Sequence, residues 1–358
     1  MPETIAKLSV VIPAYNAQDS VARAIGSIHA QGLTDYEILV VNDGSTDRTA
    51  QVLAELAQND PRLRILTIPN GGPSNARNVG IAAATGRFLL LLDADDAIEE
   101  NCLGRYVHAL TEQSLDMLVF GCRDLFIKNG KLVSVTVPSL PDVTYDSRAA
   151  FAANLGRHLL MQVMYSASNK LYDLELLRRF EIRFDTELAL GEDILFNIRY
   201  WAHLNRVRFV SEAPYLYTHI LDGQSLSSRF VPNEKEISLR VFTELLAFVK
   251  AENAYTDENR AQLATFFLRR TSAWINSIFL PAASMSGRER RAYIRGVFAE
   301  PLVQESLRYA VPVSRKDRLL FACYRRRRVG TVYALYACNA FLTRHLQSIK
   351  QMLKKANG

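Results

Sequence analysis

The chain has 358 residues, 49% of them apolar, and a formal net charge of +6, figures that suit one large or two medium domains of an ordinary soluble globule. Its opening, Met1-Pro2-Glu3-Thr4, offers neither a basic nor an apolar region, which argues against a secretory signal. Cys102, Cys122, Cys323 and Cys338 lack C-x-x-C spacing and matching histidines, so they read as free thiols of a reducing cytoplasm and not as zinc ligands or a disulfide frame.

A β-branched strand over Leu8–Ile12 is stopped by Pro13 and delivers Tyr15 to its end. Val21, Ile25 and Ile28 then share one helical face. A second strand, Tyr36–Val41, runs through Asn42 into Asp43-Gly44-Ser45-Thr46-Asp47, a turn able to cap the following helix. That helix carries Val52, Leu53 and Leu56 on one face. After a strand over Leu63–Ile68, the segment Asn70-Gly71-Gly72-Pro73-Ser74-Asn75-Ala76-Arg77 starts another helix.

The fourth strand, Arg87–Leu92, ends in four consecutive leucines, the mark of a strand buried on both faces. Asp93-Ala94-Asp95-Asp96 follows at once. Such a cluster needs a counter-charge, and its D-x-D spacing suits a hard divalent cation, Mg2+ or Mn2+, bound by one or two carboxylates plus substrate phosphates. Alternating strands and helices predict an α/β fold with a mostly parallel sheet and helices on both faces. Tyr15, Asp43, Arg77, Asp93 and Asp95 then stand beyond the carboxyl ends of the strands, where such sheets bind ligands. No G-x-G-x-x-G or G-K-[ST] loop is present, which removes the best evidence for a dinucleotide fold or a P-loop kinase.

Met117–Cys122 predicts a further strand, and residues 128–145, rich in Val, Ser and Pro, a hairpin or irregular excursion. Helical periodicity resumes near Ser147. Ser168-Asn169-Lys170-Leu171-Tyr172 precedes Gly191-Glu192-Asp193, whose acids open a helix burying Leu195, Ile198 and Ala202. Two acids at a helix start also complement its dipole. From Asn233 onward helices are predicted, with breaks at Glu252–Asn253, Pro281, Pro301 and Pro312. The organisation expected is residues 1–230 as one domain and 231–358 as a helical region with a basic amphipathic tail.

Together these motifs resemble those of the family 2 glycosyltransferases, whose nucleotide half has a GT-A fold; the resemblance runs from about Leu8 to Ser227. It implies a nucleotide-sugar donor, most often a UDP-sugar. Pro13 and Tyr15 would line the base, Asp43 would hydrogen-bond the uracil, and Arg77 would lie against the nucleotide. Asp93 would face the ribose or the metal, and Asp95 would be the principal metal ligand. Asp193 would be the base of an inverting displacement, with Glu192 the fallback. His219, ahead of Ser225-Leu226-Ser227, would touch the diphosphate or complete the metal shell, its alternative being an exposed loop histidine. Lys170 would approach the donor phosphates or acceptor, or else be a solvated loop lysine. Absence of a Q-x-x-R-W motif favours addition of one sugar. The implied setting is bacterial surface-polysaccharide synthesis on a lipid-linked glycan acceptor at the inner face of the membrane. Transfer to a polyprenyl phosphate and a non-enzymatic nucleotide-sugar-binding scaffold are the rival readings.

Residues 315–358 carry eleven Lys or Arg against one acid, Asp317, leaving the rest of the chain at −4. Between Val329 and Thr343 there is no charge, a run shorter than the roughly 20 residues a spanning helix needs. Val332, Leu335, Asn339, Leu342, Leu346, Ile349 and Leu353 repeat as an a/d seam. Three roles stay open for it: packing on the chain's own helical region, lying on an anionic membrane surface, or self-association. Nucleic acid is not expected, because no recognised binding motif accompanies the basic residues.

Overall fold

The computed structural model describes residues 7–221 and 230–356, with side chains to Leu342. The chain divides into two units, Met1–Asn154 with Met161–Ser225 and Glu244–Ala254, and Leu155–Leu160 with Leu226–Thr243 and Tyr255–Gly358. Helices α5 (Arg148–Leu160) and α8 (Glu234–Ala251) contribute residues to both.

The first unit opens with β1 (Leu8–Ala14), α1 (Val21–His29), β2 (Tyr36–Asp43), α2 (Thr49–Ala57), β3 (Leu63–Ile68), α3 (Pro73–Ala83) and β4 (Phe88–Leu91). These four strands are parallel in the order β3-β2-β1-β4. The predicted faces hold: Val21, Ile25 and Ile28 are buried, as is every residue from Phe88 to Leu92. The sheet continues through β10 (Lys170–Asp173), β6 (Met117–Val119), β11 (Val207–Phe209) and β9 (Val143–Tyr145). Here β10 lies antiparallel to both β4 and β6. Glu37, near the start of β2, ties that strand to β1, β3 and the turn before β4. Burial pushes its carboxyl up, but bonds from Thr85, Ser9 and Arg64 outweigh that and hold it at about 2.

A second sheet, absent from the sequence reading, has the order β5-β12-β7-β8. It comprises β5 (Ala97–Ile98), β12 (Tyr215–Ile220), β7 (Cys122–Lys128) and β8 (Lys131–Thr136). The expected strand over Met117–Cys122 is therefore two strands, and the chain changes sheets at Phe120-Gly121. Glycine permits this, since a Cβ on Gly121 would stand 2.8 Å from that of Ala213. α4 (Leu103–Glu112), α6 (Leu174–Arg179) and α7 (Glu192–Trp201) complete the unit. α7 buries Ile194, Phe196, Tyr200 and Trp201 besides the predicted Leu195 and Ile198, while the third predicted residue, Ala202, is half-buried just past its end; it is a core helix more than an amphipathic one.

The second unit is helical: α9 (Asp257–Ser277), α10 (Gly287–Ala299), α11 (Pro301–Tyr309), α12 (Arg315–Arg325) and α13 (Val329–Ala356). Phe242 stacks on Phe267 at 4.1 Å, and Arg269 of α9 meets Asp317 of α12 at 2.8 Å. In α13 Val332 and Tyr336 are buried while Leu335 and Leu342 are exposed. Of the expected seam, Val332 is therefore packed and Leu335 and Leu342 face outward, and Tyr336, one turn beyond Val332, shares its buried side. Leu346, Ile349 and Leu353 of that seam lie outside the residues whose side chains are described, and Ser225-Leu226-Ser227 outside the described residues altogether. Among the described residues no helix is long and apolar enough to cross a membrane.

Candidate active site

The site residues gather at the carboxyl ends of β1, β2 and β4, where the chain order reverses between β1 and β4. Tyr15 follows β1 and is 53% exposed. Its loop is sewn to the one after β2: Asn16 N–H donates to Ser45 Oγ at 3.0 Å, and Thr46 N–H to Asn16 Oδ1 at 2.9 Å. At the end of β2, Asp43 is buried, and its carboxylate oxygens accept the N–H groups of Gly71 (2.8 Å) and Gly72 (2.9 Å). Each oxygen keeps a lone pair for one further donor.

Gly72, at φ +84°, opens α3 ahead of Pro73. This helix presses on β1 because residue 80 is glycine; a Cβ there would lie 2.3 Å from Val11 Cγ1. The close seat delivers Arg77, itself only 6% exposed, to the carboxylates. Its Nη2 is 2.7 Å from Asp93 Oδ1, and its Nη1 is 3.4 Å from Asp193 Oδ1 and 4.0 Å from Glu192 Oε1. One guanidinium therefore joins the acids after β4 to those opening α7, some hundred residues apart in sequence. Burial disfavours its charge, but Asp93 and Asp193 outweigh that and raise its pKa above the ordinary arginine value. The sequence expectation set Arg77 against the nucleotide; its hydrogen bonds here go to carboxylates.

Gly191, left-handed at φ +77°, caps α7 and turns both acids toward this cluster. Asp193 is fixed on two sides, by Arg77 and by the Ala167 N–H on Oδ2 at 3.1 Å. Burial raises its pKa; Arg77 opposes this and Asp93 adds to it. Burial and then Asp193 raise that of Glu192.

Asp93 also takes a 3.4 Å bond from Ser168 Oγ. The carboxylate of its exposed neighbour Asp95 takes no hydrogen bond or ion pair from another residue among the described ones; partial loss of surrounding water, then Asp93, raise its pKa, and its own backbone N–H opposes this. Asp96 is fully buried and accepts from Tyr215 Oη (2.6 Å) and Thr218 N–H (2.9 Å), with its carboxyl pushed up to about 8 by burial, Asp93 and Asp95. Sequence reading quoted Asp96 but gave it no role; its place in the D-A-D-D run was the available signal. Arg23 of α1 was missed outright, and it donates to Asp95 O and Thr218 Oγ1.

Two expectations change. His219 does not join Asp93 and Asp95: its Nε2 is 2.8 Å from Asp124 Oδ1, and its ring stacks on Phe126 at 4.6 Å. No group of three or more His, Cys, Asp or Glu side chains converges as a metal-ligating set among the described residues. Lys170 is neither solvated nor directed at a donor; it is wholly buried, donating to Val163 O, Ser166 O and Asn169 Oδ1. The metal test then rests on Asp93 and Asp95. A carboxylate with no partner from another residue, its charge disfavoured by Asp93 beside it, fits a hard cation whose remaining ligands are phosphate and water.

The large mixed sheet, its parallel half leading to acids at the strand ends, defines a GT-A fold of the nucleotide-diphospho-sugar transferase class. Residues 9–170 match the model of glycosyl transferase family 2, and that part of the chain is a glycosyltransferase domain of the family. It is 29% identical over 210 residues to an uncharacterized glycosyltransferase, EpsJ, of Bacillus subtilis, covering 59% of this chain and 60% of that protein. It is 30% identical over 274 residues to the poly(ribitol-phosphate) beta-N-acetylglucosaminyltransferase TarS of Staphylococcus aureus, covering 74% of this chain but 44% of that one. The crystal structure of S. aureus TarS 1–349 in complex with UDP-GlcNAc superposes with a TM-score of 0.66 at 25% identity, covering 92% of this chain and 90% of that chain.

Proposed function

We propose that the chain transfers a single sugar, with inversion, from a UDP-sugar to a hydroxyl of a glycan or polyol-phosphate acceptor in bacterial cell-surface polysaccharide synthesis. The observation that carries this reading is the bridging of Asp93 and Asp193 by buried Arg77 at the carboxyl edge of the sheet. It sets a candidate donor site and a candidate base side by side. Likeness to TarS, solved with UDP-GlcNAc, supports the donor class, and the name of that relative supports a hydroxyl-bearing polymer as acceptor.

In this reading Tyr15 and Pro13 take the base and a free lone pair of Asp43 takes the uracil N–H. Asp193 accepts the acceptor proton as its oxygen attacks the anomeric carbon and the sugar–phosphate bond breaks. Arg77 and the Ala167 N–H hold that carboxylate in place. Asp95, with Asp93, would hold Mn2+ or Mg2+, which when bound supplies Lewis-acid stabilisation of the departing diphosphate. A panel of nucleotide-sugars, assayed by hydrolysis and saturation-transfer NMR with Mn2+, should return UDP-sugars as ligands. No signal from any UDP-sugar overturns the donor assignment. Acceptor analysis separates a hydroxyl product from a polyprenyl phosphate product, and a scaffold gives neither.

For location we propose a membrane-surface setting on the cytoplasmic side. On and beside α12, exposed Arg315, Lys316 and Arg318 accompany exposed Val311, Val313 and Leu319, an arrangement that suits anionic lipid. The other side of α12 buries Leu320, Phe321 and Tyr324, so deleting the tail would open the core of its own unit. Replacing Arg315, Lys316 and Arg318 by Glu avoids that. Each basic residue near such a surface contributes about 1 kcal/mol, so flotation with anionic vesicles should fall by roughly a hundredfold or more and weaken with salt. Equal flotation by the triple variant excludes this role.

A further inference from the structure

The chain from Met161 to Asn169 reaches the site through turns and bends, and it touches both halves of the acid cluster. Ala167 N–H meets Asp193 Oδ2 and Ser168 Oγ meets Asp93 Oδ2. What shapes this loop is a buried polar network. Lys170 Nζ lies among three acceptors, Val163 O at 3.2 Å, Asn169 Oδ1 at 2.7 Å and Ser166 O. Asn169 Nδ2 in turn donates to Phe120 O (2.7 Å) and Val163 O (3.0 Å). Asn197 of α7 reaches the carbonyls of Met164, Tyr165 and Ser166 at 3.0–3.3 Å. The Tyr172 hydroxyl stands 3.0 Å from Ala167 O and 2.8 Å from Asn197 Oδ1.

An ammonium has three N–H bonds and finds three acceptors here, none of them a carboxylate. Burying a cation without an ion pair is costly, and burial pushes the Lys170 pKa down to about 7. Apolar packing alone would be served better by leucine or methionine. The charged donor is explained by the acceptors it draws together: it supplies Asn169 Oδ1 and is a second donor to the Val163 and Ser166 carbonyls, which also take Asn169 Nδ2 and Asn197 Nδ2.

We propose that Lys170 is a positioning residue for the transfer step, folding the 163–169 loop around its ammonium so that the Ala167 N–H orients Asp193. The proposal rests on the reading of Asp193 as the base. It assigns to the Ser168-Asn169-Lys170-Leu171-Tyr172 motif a role without contact to donor or acceptor.

The test uses the full chain with Lys170→Met, and Tyr172→Phe as the milder change that removes one oxygen. Loss of hydrogen bonds to a charged group should lower kcat by about tenfold to a hundredfold in Lys170→Met. UDP affinity and donor KM should stay within about twofold, the split expected when only the transition state suffers. Tyr172→Phe should lower kcat by about threefold to tenfold with the same split. Amide exchange across residues 161–169 should quicken in both, with β1 to β4 unchanged. Unaltered kcat and exchange overturn the proposal, as does parallel loss of UDP binding and kcat in a folded variant, which would mean donor contact. If Lys170→Met does not fold, Tyr172→Phe decides alone. Should Asp193→Asn retain full transfer, the base assignment fails, while loop exchange still reports whether Lys170 braces it.

Discussion

Asp193→Asn is expected to lower sugar transfer by about a hundredfold or more, the usual scale for losing a general base, while nucleotide-sugar affinity persists. The side chain keeps its volume and can still accept the Ala167 N–H, so the loop it meets has no cause to move. Glu192 is the natural comparison. It lies 4.0 Å from Arg77, whereas Asp193 is held by two groups at 3.4 and 3.1 Å. A fixed carboxylate aims its lone pair; a loosely held one does not. The pH profile adds an independent check. Burial raises the Asp193 pKa, so its base form is present above that raised value and is lost as pH falls through it. The acid limb of the wild-type profile should therefore lie above the ordinary aspartate value of about 3.9, and Asn should abolish that limb. An inactive Glu192→Gln beside an active Asp193→Asn would exchange the two roles.

Asp95→Ala is the second large effect. Its carboxylate is exposed and is held by no other residue's hydrogen bond or ion pair among the described ones, and loss of water and Asp93 raise its pKa. Replacing it should leave the metal-free melting temperature equal to wild type or higher. Metal-dependent UDP binding should drop by about tenfold or more, and transfer by about a hundredfold or more, the scale of losing a metal's Lewis-acid stabilisation of several kcal/mol. Chelation of the wild type should reproduce the variant. Calorimetry with Mn2+ and UDP, alongside a thermal melt, reads both quantities. Full activity in EDTA, or in Asp95→Ala, removes the metal from the mechanism.

The parallel strands β1 to β4, their helices and the acids at their ends were legible because each signal is local. A β-branched run, a four-leucine run, a 3.6-residue stripe and a glycine turn are all set by neighbours within a few positions. The motifs could be ordered along the chain for the same reason. The second sheet was not legible: β5 has two residues, and its partner β12 lies more than a hundred positions away, so its pairing is decided by where the larger sheet leaves room. The tail shows the same limit, since a 3,4 spacing of apolar residues fits a heptad seam and a straight helix alike until a partner covers one stripe.

Site roles divide along this line. Sequence alone determined which residues carry charge at the strand ends and at the start of α7. Only the tertiary structure decided their company: Arg77 given to Asp93 and Asp193, His219 given to Asp124, and Lys170 buried among carbonyls. The physical reason is that a charged side chain in a low-dielectric interior must find its partner in space, and distance along the chain gives no measure of which partner is near.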